Sequence, residues 1–236
     1  KQKTAYEIRL SLVGSEMCIR DRNQIVIEPG ANARLAPADI PRALLTGAKV
    51  VMTQLESNLA TTAQVLRTAR AAGVTTILNP APMRADFSPA LLRHVDILIP
   101  NESEFIALVR GLPGARRRIT ERHLHAMTWR ALHALCRKFG VPTLIITLGS
   151  RGCFISGEDG QLFIPAHHGI RVVDTTGAGD AFCGGFAAGL VRHAGRIPEA
   201  ARLGTAVAAL SITKPGAAFA MPTQAELKRF LRKTAA

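Results

Sequence analysis

The segment Asp174-Thr-Thr-Gly-Ala-Gly-Asp180, which runs directly into the small, apolar stretch Ala181–Leu190, carries most of the information about the fold. Gly177, Ala178 and Gly179 place almost no side chain between the backbone and a ligand, so a phosphate group can approach closely. The apolar stretch predicts a helix that begins near Asp180, and its unpaired N–H groups and positive dipole end would face the same point. The segment therefore predicts a phosphate-binding turn followed by a helix.

Asp180 is the acidic residue at the end of this turn. A carboxylate beside a bound phosphate can accept the proton of a hydroxyl group that attacks the transferring phosphoryl group. The alternative is a structural role, because aspartate is among the preferred N-cap residues of helices. Two acidic residues bracket the glycine-rich turn, which favours phosphoryl transfer with Asp180 as the general base.

Short apolar runs alternate with stretches of helical spacing along the chain. The predicted strands are Gln24–Glu28, Lys49–Thr53, Val74–Leu78, Val95–Ile99, Thr143–Thr147, Cys153–Ser156 and Leu162–Pro165. The predicted helices are Leu59–Ala72, Pro89–Arg93, Glu102–Val109, Thr120–Phe139, Asp180–His193, Pro198–Thr213 and Thr223–Lys233. This alternation predicts one doubly wound α/β domain, a mainly parallel sheet with helices on both faces, and Asp159-Gly160 predicts a hairpin turn between the last two strands.

Polar residues follow several of these strands, where open α/β sheets bind their ligands. Asn79 and Asn101 each follow a strand, and Thr147 ends one. Taken singly, Asn79-Pro80 could be a turn, and Asn101 could be an N-cap with Glu104 completing a capping box. Taken together with the phosphate turn, they predict a single site at the carboxyl edge of the sheet.

Composition excludes some classes of function. The net charge is +13, but the chain has one Trp and one Tyr, so a base-stacking surface is poorly supported and solvated helix faces are expected instead of a nucleic-acid site. No run of 18 apolar residues and no signal-peptide pattern occurs, so no membrane partner is expected. The four cysteines have no metal-binding spacing, which is typical of reduced thiols in a cytoplasmic protein.

The turn is one of several motifs that share an order typical of one family. The motifs are Thr53-Gln-Leu-Glu56, Asn79-Pro-Ala-Pro82, Asn101-Glu-Ser-Glu104, Thr147-Leu-Gly-Ser-Arg-Gly152, Val173–Phe186 and Thr213-Lys-Pro-Gly-Ala217. From about Asn23 to the C-terminus the chain resembles the ribokinase-like (PfkB) carbohydrate kinases, and Gln-Leu-Glu with Asn-Pro-Ala-Pro is similar to the ribokinase branch. The resemblance implies an enzyme that transfers the γ-phosphate of ATP to the 5-hydroxyl of D-ribose.

The resemblance also implies roles for individual residues. Asp180 would be the general base and a sugar contact, and Gly177, Ala178 and Gly179 would form the anion hole. The residues implied to bind ATP are Asn101, Thr147, Gly149, Ser150, Gly152, Gly179, Asp180 and Thr205. Asn101 and Glu104 would bind Mg²⁺ through water. Glu56 matches a residue near the sugar, although a solvated charge at a strand end is an equal alternative.

A monovalent cation site follows from the resemblance alone. The residues that match the family's K⁺ ligands are Asp174, Thr176, Ser211, Lys214, Gly216 and Ala220. The alternative for Lys214-Pro-Gly216 is a plain helix C-cap, with glycine after a basic last turn.

The chain departs from the family pattern at its start. The expected sugar-binding Asp, the Gly-Gly-Lys-Gly-like motif and most of the lid do not precede Asn23. Residues 1–22 are similar to translated adapter or assembly sequence, and the alternative is a genuine divergent extension. The predicted domains are a non-native or unrelated leader, 1–22, and an incomplete kinase domain, 23–236. The chain as written is therefore expected to be a poorly stable fragment with little activity, while the full-length protein is expected to be a homodimer.

Two other classes of function stay open at this point. One is another PfkB-family kinase, acting on fructose, a nucleoside such as adenosine, or a ketogluconate. The other is a non-catalytic binder, either a nucleotide-binding remnant or a basic nucleic-acid protein. The intact Gly-Ala-Gly turn and Asp180 favour a working kinase over a remnant.

Overall fold

A six-stranded sheet in the order β3-β4-β5-β6-β7-β8 organises the protein. The computed structural model describes residues 15–19, 22–26, 30–114 and 119–234. The strands are β3 (Val50–Thr53), β4 (Thr75–Leu78), β5 (Ile97–Leu98), β6 (Thr143–Thr147), β7 (Gly152–Gly157) and β8 (Gly160–Pro165). Strands β3 to β6 are parallel, and β7 and β8 are antiparallel additions. Two further strands, β1 (Ser15–Ile19) and β2 (Arg22–Val26), pair only with each other in an antiparallel hairpin.

The helices follow the strands in a simple order. They are α1 (Gly30–Arg34), α2 (Arg42–Gly47), α3 (Leu59–Ala71), α4 (Glu102–Arg110), α5 (Glu121–Ala126), α6 (Trp129–Cys136), α7 (Ala178–Arg192), α8 (Ile197–Ser211) and α9 (Gln224–Thr234). Helices α3 to α6 pack on one face of the sheet, and α7 and α8 pack on the other.

Alternate residues of each central strand enter different hydrophobic cores, because successive side chains of a strand point to opposite faces. In β6, Leu144 and Ile146 join the core under α3 to α6, whereas Ile145 joins the core under α7 and α8. In β7, Phe154 enters the first core, and its neighbour Cys153 enters the second. Both faces are therefore covered, which explains why these strands are continuously apolar, and the predicted doubly wound α/β fold is confirmed.

Some predicted elements differ from those observed. The predicted helix Thr120–Phe139 is divided into α5 and α6, because Met127 has an extended backbone (ψ 142°) and the Thr128 hydroxyl accepts the N–H of Ala131 to cap α6. Pro89–His94 is a 3₁₀ helix, and α7 begins at Ala178, two residues before the predicted start. Helices α1 and α2 were not predicted, and both have fewer than seven residues.

An aromatic stack joins α6 to the β7–β8 hairpin. The ring of Trp129 lies 5.1 Å from that of Phe154 and 4.9 Å from that of Phe163, with interplanar angles of 14° and 20°. Phe154 is fully buried, whereas Trp129 at the start of α6 keeps about 40% of its surface exposed. The stack seals the edge of the first core where the hairpin extends the sheet.

Two predictions fall partly on residues that the structure does not describe. Residues 1–14 and 20–21 of the predicted leader lie outside the described residues, and so does the side chain of Cys18. The predicted strand Gln24–Glu28 overlaps β2, but its residues 27 and 28 are not described, and β2 pairs with β1 and not with the six-stranded sheet. The predicted domain boundary between Arg22 and Asn23 falls within β2, and it stays a prediction. Within the described residues, no helix has the length and apolar character needed to cross a bilayer.

Candidate active site

A cavity of about 190 Å³ opens at the carboxyl edge of the sheet, where the parallel strands β3 to β6 end. Its walls combine the residues that follow these strands with the first turn of α7. The lining residues are Asn79, Ala81, Ile99, Asn101, Glu104, Thr147, Thr175, Gly177, Ala178, Gly179, Asp180 and Cys183. The structure thus brings together the predicted base, the predicted anion hole, and the strand-end residues Asn79, Asn101 and Thr147.

The turn that leads into α7 needs glycine at Gly177. This residue is the N-cap of α7, has φ +73°, and a Cβ atom there would lie 2.9 Å from the Cβ of Ala217. By contrast, a Cβ atom at Gly179 would meet no other atom within 4 Å, although Gly179 lines the cavity. The turn therefore leaves open space beside the N–H groups at the start of α7, which is the arrangement that binds phosphate groups.

Asp180 lies in the first turn of α7 and is exposed to the cavity. Since Gly177 is the N-cap, the alternative in which Asp180 itself caps the helix is wrong. Its Oδ1 atom accepts a hydrogen bond of 3.0 Å from Nε2 of Gln54, which follows β3. Gln54 belongs to the motif Thr53–Glu56 but was given no role from the sequence, although its place directly after a strand is the signal that also marks Asn79 and Asn101.

Asn101 and Glu104 form a capping box at the start of α4. The Asn101 side chain accepts the N–H of Glu104 at 2.9 Å, and the Glu104 carboxylate accepts the N–H of Asn101 at 2.8 Å. The structural alternative for this pair is therefore correct, and both residues also line the cavity. Burial raises the pKa of the Glu104 carboxyl, and it raises the pKa of the neighbouring Cys183 thiol to about 12.

Asp174 connects the phosphate turn to the loop after α8. Its carboxylate accepts the N–H of Thr176 at 2.9 Å and the N–H of Gly216 at 2.8 Å, and these two bonds hold the pKa of Asp174 below its usual value. The residues predicted to hold K⁺ thus come from two segments that Asp174 ties together. Lys214 in the second segment donates to Glu226 of α9 at 2.7 Å, so the loop is also anchored to the C-terminal helix.

The remaining predicted site residues lie around or away from the cavity. Gly149 and Ser150 form a 3₁₀ turn after β6, and this turn is tied to α4 by a 2.9 Å bond from Arg151 to Glu102. Thr205 is buried in α8, where its hydroxyl donates to the carbonyl of Arg202. Glu56 is exposed beyond the end of β3 and does not line the cavity. The roles of these residues stay predictions.

The ion pair between Lys214 and Glu226 predicts an acid-sensitive attachment of α9. The Lys214 ammonium, followed by the N–H of Thr223, lowers the pKa of Glu226 from 4.5 to about 2. Because the folded-state pKa is depressed, the stabilisation is complete above about pH 4.5 and is lost as the pH falls towards 2. We expect the protection factors of the α9 amides, which compare their exchange with that of an unfolded chain at the same pH, to fall over this range.

The Glu226→Gln variant provides the comparison. It should exchange rapidly in α9 already at pH 7 and show little further acid sensitivity there. Glu158→Gln, which changes a charge in the β7–β8 turn, should behave like the unmodified protein. Protection of α9 that is equal in Glu226→Gln and the unmodified protein at pH 7 would contradict the prediction.

Comparison with known proteins places this chain in a family. The model of the pfkB family carbohydrate kinases matches residues 14–224. The chain is 33% identical to the ribokinase of Haemophilus influenzae over 211 residues, and 32% identical to the deoxyribokinase of Salmonella typhi over 211 residues. Each match covers 89% of this chain and 65% of the relative, so the chain spans slightly less than two thirds of these proteins.

A solved structure gives the same relationship. The fold superposes on the ribokinase of Arabidopsis thaliana, whose structure holds ribose and ATP, with a TM-score of 0.74 and 29% sequence identity. That match covers 89% of this chain and 65% of the plant protein. The family match over 211 of the 236 residues, the shared fold and the arrangement of the cavity lead to one conclusion: the chain belongs to the pfkB family of carbohydrate kinases.

Proposed function

We propose that this protein transfers the γ-phosphoryl group of ATP to the 5-hydroxyl group of D-ribose. The observation that carries the proposal is the position of Asp180 in the first turn of α7, beside the open turn Gly177–Gly179 and in one cavity with Asn101, Glu104 and Thr147. A carboxylate beside a helix N-terminus suits proton removal next to a bound phosphate. Similarity to a ribokinase and to a deoxyribokinase supports a pentose as the acceptor.

The proposed reaction uses the chain's own groups in a defined order. Asp180 accepts the proton of the sugar hydroxyl, and the hydroxyl oxygen forms a bond to the γ-phosphorus. The bond between that phosphorus and the β–γ bridging oxygen breaks, and ADP leaves. The N–H groups of Gly177, Ala178 and Gly179 are proposed to donate to the phosphoryl oxygens, whose charge is the main target of stabilisation in such reactions. The N–H of Ala178 donates to the carbonyl of Thr175 at 3.1 Å and would have to share or exchange that acceptor.

Mg²⁺ fits Asn101 and Glu104 only as a hydrated ion. Both carboxylate oxygens of Glu104 already accept bonds from Asn101, at 2.8 Å each, so their remaining lone pairs suit water molecules better than direct metal bonds. Mg²⁺ keeps several waters in most phosphate sites. No cluster of three or more His, Cys, Asp or Glu side chains suited to a metal occurs among the described residues. When bound, Mg²⁺ would neutralise negative charge on the phosphates.

K⁺ fits between the phosphate turn and the loop after α8, the two segments that Asp174 connects. The six residues assigned to it would present oxygen atoms, mostly backbone carbonyls, and carbonyl oxygens are the ligands that K⁺ takes in selective sites. Ala220 is fully buried and has no side-chain oxygen, so its contribution would be its carbonyl. When bound, K⁺ would add positive charge behind the phosphate turn. The proposed ligands are Asp174, Thr176, Ser211, Lys214, Gly216 and Ala220.

A cytoplasmic homodimer completes the proposal. The three cysteines whose side chains are described, Cys136, Cys153 and Cys183, are free and buried, which suits a reducing compartment that also supplies ATP. The homodimer is proposed for the full-length protein, and sedimentation equilibrium of that protein tests it directly.

The proposed function is tested with the full-length protein, because the chain as written is expected to have little activity. The assay follows ATP-dependent ADP formation with a panel of acceptors. The panel contains D-ribose, 2-deoxy-D-ribose, D-fructose, 2-keto-3-deoxygluconate and adenosine, with Mg²⁺ and K⁺ present. D-ribose is expected to give the highest kcat/KM, and 2-deoxy-D-ribose is the second candidate because the two relatives are equally similar. A hexose or nucleoside as the preferred acceptor would overturn the ribose assignment.

The Gly179→Ala variant tests whether the phosphate turn binds ATP. The added methyl group meets no protein atom, so stability should be kept or slightly increased, whereas the methyl group narrows the space proposed for phosphate. ATP affinity measured by calorimetry is expected to fall by about tenfold or more, which corresponds to about 1.4 kcal/mol. Unchanged ATP affinity in Gly179→Ala would argue against this turn as the phosphate site.

A further inference from the structure

A hydrogen-bonded chain of two amide side chains leads to Asp180. Nε2 of Gln54 lies 3.0 Å from Oδ1 of Asp180 and 3.2 Å from Oδ1 of Asn79. Since an amide NH₂ group has two hydrogens, Gln54 can donate to both oxygens at once. Gln54 is half-buried at the end of β3, while Asp180 is exposed to the cavity.

Asn79 holds the outer end of this chain in one orientation. Its Nδ2 atom donates to the carbonyl of Ile99 at 2.7 Å, so its Oδ1 atom is the one that faces Gln54. The backbone of Asn79 is fixed too, because its N–H donates to the carbonyl of Thr53 at 3.0 Å. These hydrogen bonds therefore connect the ends of β4 and β5, through Gln54, to Asp180 in α7. Asp180 is 126 positions away from Gln54 in the sequence.

The hydrogen bond from Gln54 gives the two carboxylate oxygens of Asp180 different roles. Oδ1 accepts the Gln54 amide, which leaves Oδ2 as the oxygen that can accept a proton from an incoming hydroxyl group. Because the amide is neutral, it orients the carboxylate without forming an ion pair with it. A fixed carboxylate loses less rotamer freedom when the reacting groups come together.

We propose that Gln54, held by Asn79, is a positioning residue that orients the carboxylate of Asp180 for proton transfer; this rests on the proposed phosphotransferase function. Gln54 acts through Asp180 and is not among the residues that line the cavity proposed for the phosphate groups. The proposal adds a residue that follows β3 to a site whose other parts follow β4 and β5, end β6, or lie in the first turns of α4 and α7.

The contact itself is tested by NMR without any need for activity. The side-chain NH₂ resonances of Gln54, assigned with the Gln54→Leu variant, are expected to shift when Asp180→Ala removes the carboxylate acceptor. They are expected to shift also in Asn79→Ala. The NH₂ resonances of Gln161, an exposed residue of β8, are the control and should not move. Gln54 resonances that do not respond to Asp180→Ala would overturn the proposal.

The role in the reaction is tested with a double-mutant cycle. Gln54→Leu keeps the approximate size of the side chain and removes its donors, and it is expected to lower kcat by about 10- to 100-fold, as misplacement of a reacting group does. The affinity for ATP should change by less than a factor of about three, which is below 1 kcal/mol. In the Asp180→Asn background, Gln54→Leu should have almost no further effect, because the two residues act as one unit.

The outcomes separate this inference from the function on which it rests. The positioning role would be overturned if Gln54→Leu lowered kcat by the same factor in the unmodified protein and in the Asp180→Asn variant. No sugar-dependent ADP formation by the full-length protein would contradict the proposed function, whereas low activity of this chain alone is already expected, since it spans 65% of its relatives. The NMR result would then still decide whether the Gln54–Asp180 contact exists.

Discussion

Replacing Asp180 by Asn is expected to slow phosphoryl transfer by about 10²- to 10⁴-fold, the range over which general bases act. The two side chains have nearly the same shape, but the amide of Asn cannot accept the hydroxyl proton at neutral pH. The Asn oxygen can still accept the Gln54 amide, so the first turn of α7 should keep its structure. The affinity for ATP should be unchanged or slightly increased, because a negative charge near the phosphates is removed.

Two measurements check this expectation. Initial rates of ADP formation at saturating sugar and ATP report the loss of kcat, and calorimetry reports ATP binding. The matched control is Asp159→Asn, which removes a carboxylate from the β7–β8 turn at the opposite edge of the sheet. A loss of less than about tenfold would contradict the assignment of Asp180 as the base, since general bases contribute at least that much. A loss of ATP binding equal to the loss of rate would instead indicate a role in holding ATP.

Gly152→Ala is expected to be the most damaging substitution for stability. A Cβ atom at this position would lie 2.1 Å from the carbonyl oxygen of Ile164 and 2.6 Å from the backbone nitrogen of Ala166. The backbone also has φ +113°, a conformation that side-chain-bearing residues rarely adopt. Because β7 pairs with β8 along their whole lengths, the clash can be relieved only by separating the two strands. Overpacking and backbone strain together should lower the free energy of unfolding by about 3–5 kcal/mol.

Gly160→Ala separates the two causes of this loss. Gly160 has an equally unusual φ of +125°, but a Cβ atom there would meet nothing within 4 Å. It should therefore show the strain alone, about 1–3 kcal/mol. Chemical denaturation followed by far-ultraviolet circular dichroism measures both variants. Equal destabilisation in the two would mean that the contact with Ile164 is relieved at little cost and that strain dominates.

The position of Gly152 also changes how its motif is interpreted. The family resemblance implies that Thr147, Gly149 and Gly152 line the nucleotide phosphates and ribose, and this role stays a prediction. In the structure only Thr147 lines the cavity, whereas Gly152 is packed against the backbone of β8. A glycine required for close strand packing and a glycine required for ligand approach look the same in a sequence. Only the neighbouring backbone distinguishes them.

Much of the fold could be predicted because its signals are local. The β-branched run Thr143–Thr147 and the Asp159-Gly160 turn correspond to β6 and the β7–β8 hairpin within a few residues. The division between α5 and α6 was missed because Thr128 and its neighbours do not interrupt the apolar periodicity, and the break depends on a side-chain cap.

The candidate site was predictable in its parts but not in its connections. Asp180, Gly179 and Asn101 stand in recognisable motifs, and the carboxyl-edge rule for parallel sheets brings them together. The bonds from Gln54 to Asp180 and from Gly216 to Asp174 join residues 126 and 42 positions apart. No periodicity or turn signal encodes such a distance, since it depends on how α7 packs against the sheet.

The stack of Trp129 on Phe154 and Phe163 has a practical consequence. The chain contains a single tryptophan, so its intrinsic fluorescence arises from one indole ring. That ring contacts aromatic residues of both strands of the hairpin while remaining about 40% exposed. Separation of the hairpin from α6 would fully hydrate the indole and move its emission to longer wavelength. The protein thus carries a natural optical label for its antiparallel edge, readable in stopped-flow experiments without chemical modification.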